Sequence, residues 1–223
     1  MGEAGYRAES FFEYGEEEIR YLKAKDKRLG KVIDRLGYIR RRTDSDLFTA
    51  VVHHIVGQQI STRAQQTIWN RMNEELGSVT AETLLSAGRD RVKSFGMTYR
   101  KADYILDFSR QVESKAFEGE AVANLDDREA IRALMALKGI GRWTAEMILL
   151  FCLKRKDILS YGDLGIIRGL RMLYRHREVD RVRFERYRKR FSPYGSVAAL
   201  YLWAISGGAI PELTDPLAGK ASR

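Results

Sequence analysis

Apolar residues recur along this chain at three- and four-residue steps, the spacing of one face of an α-helix, and no stretch shows the period-two alternation of a half-buried strand. Glu16 to Leu36 carries Ile19, Leu22, Leu29, Ile33 and Leu36 on related faces, and Gly37 is placed to end that helix. The run Thr43-Asp44-Ser45-Asp46 is rich in N-cap residues and precedes the strongly apolar segment Leu47 to Val56. Ser61 reads as a further N-cap, followed by Ala64, Ile68, Met72 and Leu76 at four-residue steps, with Gly77 as the stop. A short helix is predicted over Thr80 to Ala87 and another over Tyr99 to Phe108, while Gly119 to Asn124 reads as a loop. Helices follow over Asp127 to Ala136, Arg142 to Leu153, Asp163 to Tyr174, Arg181 to Arg190 and Ser196 to Ser206, and the last dozen residues read as loose. The three prolines, Pro193, Pro211 and Pro216, all fall in the last third, so long stretches run without a helix breaker.

Composition narrows the class. The 223 residues suffice for one large domain or two small ones, and 44% hydrophobic content supports a packed core rather than disorder. The single cysteine, Cys152, excludes an internal disulfide framework and a four-cysteine zinc or iron–sulfur site. No secretory signal pattern opens the chain and no apolar run reaches the length of a membrane span, so the expectation is a soluble intracellular protein with no membrane partner. Lys and Arg total 39 against 30 acidic residues, a formal net charge of +9 that favours polyanionic partners, although solubility alone also accounts for such a balance. His53, His54 and His176 have no metal-ligand spacing with a carboxylate or cysteine, and the basic run 181–190 reads by default as a solvated helix face.

The most informative segment is Leu134-Met135-Ala136-Leu137-Lys138-Gly139-Ile140-Gly141-Arg142-Trp143-Thr144-Ala145. Gly139 and Gly141 permit backbone angles closed to other residues, Ile140 can tuck into the core, and the helix that starts next points its free N–H groups outward, as a phosphate site requires. A bare Gly-x-Gly is more often an ordinary tight turn. Asp163 lies 22 residues beyond Gly141, in Tyr161-Gly162-Asp163-Leu164, and taken alone it reads as an N-cap.

Together these features resemble the helix-hairpin-helix/GPD DNA glycosylases, and more narrowly the alkylation-repair branch typified by 3-methyladenine DNA glycosylase II. Three further stretches carry the resemblance: Ile55-Val56-Gly57-Gln58-Gln59-Ile60-Ser61 with Ala64, Phe95-Gly96-Met97-Thr98-Tyr99-Arg100-Lys101-Ala102, and Pro193-Tyr194 through Ala198 to Tyr201-Leu202-Trp203. It spans roughly residues 43 to 206. Two positions depart from the family's pattern: Lys138 stands where Pro is usual, and Gly195 where an Arg often follows the Pro-aromatic pair.

The resemblance implies that Asp163 is the catalytic carboxylate, stabilising oxocarbenium character on the sugar and orienting water. It places Gln59 where the family inserts a residue into the space left by the extruded base, with Gln58, Ile60 and Ser61 beside it, although the two glutamines also read as exposed turn residues. Trp143 and Trp203 match base-pocket positions, and Tyr161, Phe48 and Tyr14 are further candidates, each with core packing as the competing role. Thr98, Arg100, Lys101, Lys138, Gly139, Gly141, Arg142 and Thr144 are the remaining expected DNA contacts. Main-chain carbonyls of Met135, Leu137 and Ile140 match a Na+ or K+ site of related hairpins. No other cofactor and no iron–sulfur cluster are expected. Bifunctional members carry a Schiff-base lysine where this chain has Trp143, so base release without strand cleavage is expected.

The fold expected is all-α, two helical lobes flanking a DNA-binding cleft. One lobe would comprise 1–45 and 126–223, with the hairpin and Asp163. The other would comprise 46–125, with the minor-groove wedge. The β-rich N-terminal domain often found in the alkylation branch is not expected. The partner expected is double-stranded DNA bearing alkylated bases of the 3-methyladenine or 7-methylguanine type, acted on by a monomer in base excision repair, in the nucleoid or the nucleus. Two alternatives stay open: a glycosylase for a mismatch or another lesion, and a non-catalytic helix-hairpin-helix DNA-binding module.

Overall fold

The computed structural model describes residues 10–44 and 46–218. Ser45 of the cap-rich run and the end of the last dozen residues lie outside that range. Among the described residues there are twelve helices, and the only extended pairing is an isolated antiparallel bridge between Phe11 and Arg42. The chain is all-α, as its apolar spacing predicts.

The helices fall into two units. The first covers residues 44–153 and contains α3 (Leu47–Gly57), α4 (Thr62–Leu76), α5 (Ala81–Ser94), α6 (Tyr99–Glu113), α7 (Gly119–Asn124), α8 (Asp127–Met135) and α9 (Arg142–Phe151). Side chains cap five of these starts: Asp46, Ser61, Thr80, Thr98 and Asp126 each accept the backbone N–H three residues on. Ile55, Met72, Leu84, Phe95, Ile105 and Phe108 are sealed inside, each contributing about 1.5–3 kcal/mol of transfer free energy.

The second unit comprises described residues 10–43 and 154–218, and contains α1 (Glu16–Lys25), α2 (Lys27–Leu36), α10 (Leu164–Tyr174), α11 (Arg181–Phe191) and α12 (Gly195–Ser206). Val197 to Leu202 of α12 are buried without interruption, so this helix is the centre of the unit rather than an amphipathic cover. Its backbone lies so close to α10 that a β-carbon at Gly169 would run into the Leu202 carbonyl.

Among the described residues, the observed division differs from the expected one at Asp44 and over 126–153. Residues 126–153, with the hairpin, group with 44–125 and not with Asp163. The reason is packing: α9 is buried from Thr144 to Leu150 and rests against α8 and α3.

Three elements also depart from expectation. The single helix expected over Glu16 to Leu36 is broken at Asp26, whose extended backbone ends α1 and whose carboxylate caps α2 by accepting the Arg28 and Leu29 N–H groups, both at 3.0 Å. Arg190 pairs with the same carboxylate at 2.7 Å, a long-range contact that fixes the break. The helix expected to end at Ala87 resumes after a kink at Gly88 and runs to Ser94. Gly119 to Asn124, expected as a loop, is a short helix, because its Glu and Ala residues are good helix formers and Gly119 fits beneath Leu47.

Candidate active site

In the second unit Asp163 is the N-cap of α10, 7% exposed. Its Oδ1 accepts the Ile166 N–H at 2.8 Å and the indole N–H of Trp203 at 2.9 Å. Two donors from two helices thus fix one carboxylate oxygen. Gly165 makes this possible, since a β-carbon there would stand 2.8 Å from Trp203 Cδ1 and 3.1 Å from Asp163 Oδ1. Trp203, expected as pocket lining, therefore also orients the carboxylate.

The other aromatic candidates separate. Tyr161 is part-exposed, with Phe184 edge-on to its ring and the Arg181 guanidinium 5.0 Å above it. Tyr14 is committed to the fold: its ring stacks on Tyr38 at 4.4 Å, and its hydroxyl accepts the Ile39 N–H at 2.7 Å and meets Tyr201 Oη at 3.3 Å. Burial is the main cause that raises the Tyr14 pKa. Trp143 and Phe48 belong to the first unit, where Trp143 is 45% exposed and Phe48 stacks on Phe108 at 5.2 Å.

The first unit also holds the hairpin and the α3–α4 loop. Gly139 has φ +84° and a β-carbon at that position would collide with the Tyr104 ring, so glycine is required there. Gly141 has φ −89°, an angle open to any residue, and its role is different: as N-cap of α9 it brings no side chain over the first turn. Ile140 is buried, as expected. Thr144 is 7% exposed, so its side chain is largely buried. Arg142 donates to Glu146 at 2.9 Å, and Lys138 pairs with Asp107 at 2.8 Å.

Gln59 is exposed and holds φ +57°, a left-handed angle that costs a non-glycine residue about 1–2 kcal/mol. Ile60 beside it is also exposed, and Ser61 caps α4 by accepting the Ala64 N–H at 3.2 Å. Two residues expected as DNA contacts, Lys101 and Gln58, hold this loop. Lys101 donates to the carbonyls of Val56 at 2.8 Å and Gln58 at 2.7 Å, and burial lowers its pKa. Gln58 Nε2 donates to the Gly139 carbonyl at 2.7 Å. Thr98 caps α6 through the Lys101 N–H, and Arg100 donates to Tyr104 Oη at 2.6 Å. Tyr104 and Asp107 escaped the sequence reading, because only their distant partners on the hairpin give them a role.

These features define an all-helical protein with a helix-hairpin-helix turn in one unit and a doubly anchored carboxylate in the other. Residues 52–193 match the family model of HhH-GPD superfamily base excision DNA repair proteins, and the chain belongs to that family. DNA-3-methyladenine glycosylase 1 of Schizosaccharomyces pombe is 27% identical over 199 residues, covering 87% of this chain and 86% of that protein. A solved DNA-3-methyladenine glycosidase from Bacillus halodurans superposes with a TM-score of 0.81 at 33% identity, over 91% of this chain and 95% of that one. The S. pombe 3-methyladenine DNA glycosylase solved with abasic DNA gives a TM-score of 0.77 at 24% identity, covering 89% and 99%, and at that identity it speaks for the fold alone.

Proposed function

We propose that this protein is a monofunctional DNA glycosylase that extrudes alkylated bases of the 3-methyladenine and 7-methylguanine type from duplex DNA and releases them by hydrolysis. The observation that carries the reading is Asp163, held by the Ile166 amide and the Trp203 indole in a chain whose relatives bear the name DNA-3-methyladenine glycosylase.

The chemistry asked of Asp163 follows from the substrate. An alkylated purine cation is already a good leaving group, so the C1′–N bond breaks with its electron pair going to the base. Positive charge then develops on the sugar. A fixed carboxylate stabilises that charge, and water adds to C1′ with loss of a proton, leaving a free base and an abasic site. Pre-anchoring matters because an oriented group need not reorganise as charge appears. Gln59 of the first unit fills the vacated space, and in the second unit Trp203 and Tyr161 offer aromatic faces to the cationic base. With Trp143 where bifunctional relatives carry lysine, no Schiff base forms there and the strand stays intact.

By the family resemblance, the carbonyls of Met135, Leu137 and Ile140 would hold a monovalent cation, since carbonyl oxygens are the donors such an ion takes. When bound, it supplies positive charge for a backbone phosphate. The protein needs no other cofactor and acts as a monomer on double-stranded DNA.

The test is to incubate wild type and Asp163→Asn with methylated duplex and assay free bases and strand integrity. Wild type alone is expected to release 3-methyladenine, with no nick before alkali. DNA binding without base release by the wild type would leave only a binding module. Equal activity in the variant would remove Asp163 from the mechanism, and a nick without alkali would remove the monofunctional assignment.

A further inference from the structure

One stripe of α6 touches both the α3–α4 loop and the hairpin turn of the first unit. Lys101, Tyr104 and Asp107 follow at three-residue steps, which places them along one helix face. Lys101 donates to the Val56 and Gln58 carbonyls at the end of α3. The Tyr104 ring fills the space that a side chain at Gly139 would need. Asp107 accepts from Lys138 at 2.8 Å on the residue before that glycine. The two loops also join each other directly, through Gln58 Nε2 and the Gly139 carbonyl at 2.7 Å. Gln59, next to Gln58, is thereby held in its left-handed conformation with its side chain exposed.

From this we infer that α6 is a brace that locks the insertion loop to the hairpin turn, and that Lys101 and Gln58 are positioning residues for Gln59 rather than DNA contacts. The inference rests on Gln59 being the inserted residue. A loop already fixed in its insertion geometry pays its ordering cost at folding and not at base extrusion. A strained angle persists only where the surroundings over-determine it, and Lys101 with its two carbonyl acceptors supplies that constraint. Because the same brace grips the hairpin turn, a phosphate seated on the hairpin sets the register of Gln59 along the duplex.

Lys101→Met keeps the aliphatic stem and removes the donor. Single-turnover release of 7-methylguanine is measured from two duplexes, one with the lesion paired to cytosine and one with it opposite an abasic analogue, where no pairing resists extrusion. The variant is expected to lose about 10-fold or more on the paired duplex and much less on the unpaired one. Equal loss on both, or none on the paired one, overturns the brace. Amide hydrogen exchange at Gln59 and Ile60 in DNA-free protein reads the same constraint without chemistry: faster exchange in Lys101→Met supports it, and unchanged exchange overturns it. Gln58→Ala, which keeps the Lys101 contact to Val56, repeats both measurements should Lys101→Met not fold. A wild type that releases no base from either duplex would defeat the glycosylase reading, while the exchange experiment would still decide on the brace.

Discussion

The indole N–H of Trp203 donates to Asp163 Oδ1 at 2.9 Å across 40 positions of sequence, and Gly165 lies directly beneath the ring. The bond gives Trp203 a role separable from stacking on a base. Trp203→Phe keeps an aromatic face and removes the donor. It is expected to lower kcat for base release by about 10-fold with little change in KM, the pattern of a group acting only in the transition state. A change confined to KM or to lesion preference would assign Trp203 to the pocket alone.

Gly169 carries the close approach that brings α12 and its Trp203 to α10. Gly169→Ala forces the Leu202 backbone away, and the over-packed contact is expected to cost about 1–3 kcal/mol in a urea melt. Gly165→Ala presses on a side chain instead of on backbone, so activity is expected to fall further than stability.

Gln59 should show a conflict between stability and activity. Gln59→Gly removes the left-handed penalty and is expected to leave stability unchanged or raised by up to about 1 kcal/mol. The same variant has nothing to insert, so release from paired duplex is expected to fall. A variant that keeps full activity would make Gln59 an ordinary turn residue.

Acid should destabilise the protein through His54. Burial, with a smaller contribution from the charge of His53, lowers its pKa from 6.5 to about 4. The folded value lies below the unfolded one, so on acidification the unfolded chain takes up the proton first. The stabilisation is complete above pH 6.5 and is lost as pH falls towards 4, by up to about 3 kcal/mol. Asp26 adds to the loss at lower pH. Burial raises its pKa, but the Leu29 amide and Arg190 outweigh burial and hold it below the ordinary value. Denaturant midpoints at pH 7 and pH 4.5 should differ in wild type, and the gap should narrow in His54→Leu, with His53 and His176, whose pKa values burial also lowers, keeping the remainder.

Local signals in this chain were readable, and long-range ones were not. The caps at Asp46, Ser61 and Asp126 act over three residues, so the sequence displays both partners. The hairpin turn is equally local, and its glycines announce it. The break at Asp26 is capped just as locally, but it looked like a polar position inside one helix because the apolar spacing runs on across it, and its partner Arg190 lies 164 residues away. Asp163 and Trp203 were each visible, but their bond was not, since only Gly165 hints that a ring crosses the first turn of α10. The two carbonyl acceptors of Lys101 were hidden for the same reason: a lysine in a motif shows its charge and not its partners.

The described part of the second unit is made from two separated stretches of chain, 10–43 and 154–218, with residues 44–153 of the first unit between them. On the ribosome, α1 and α2 emerge before the first unit and have only each other to pack on until α10, α11 and α12 have been synthesised. The described part of the first unit, the continuous segment 44–153, can finish folding in the meantime. Chaperone attention during synthesis should therefore concentrate on residues 10–43, and the Asp163–Trp203 bond should be among the last contacts made on a newborn molecule.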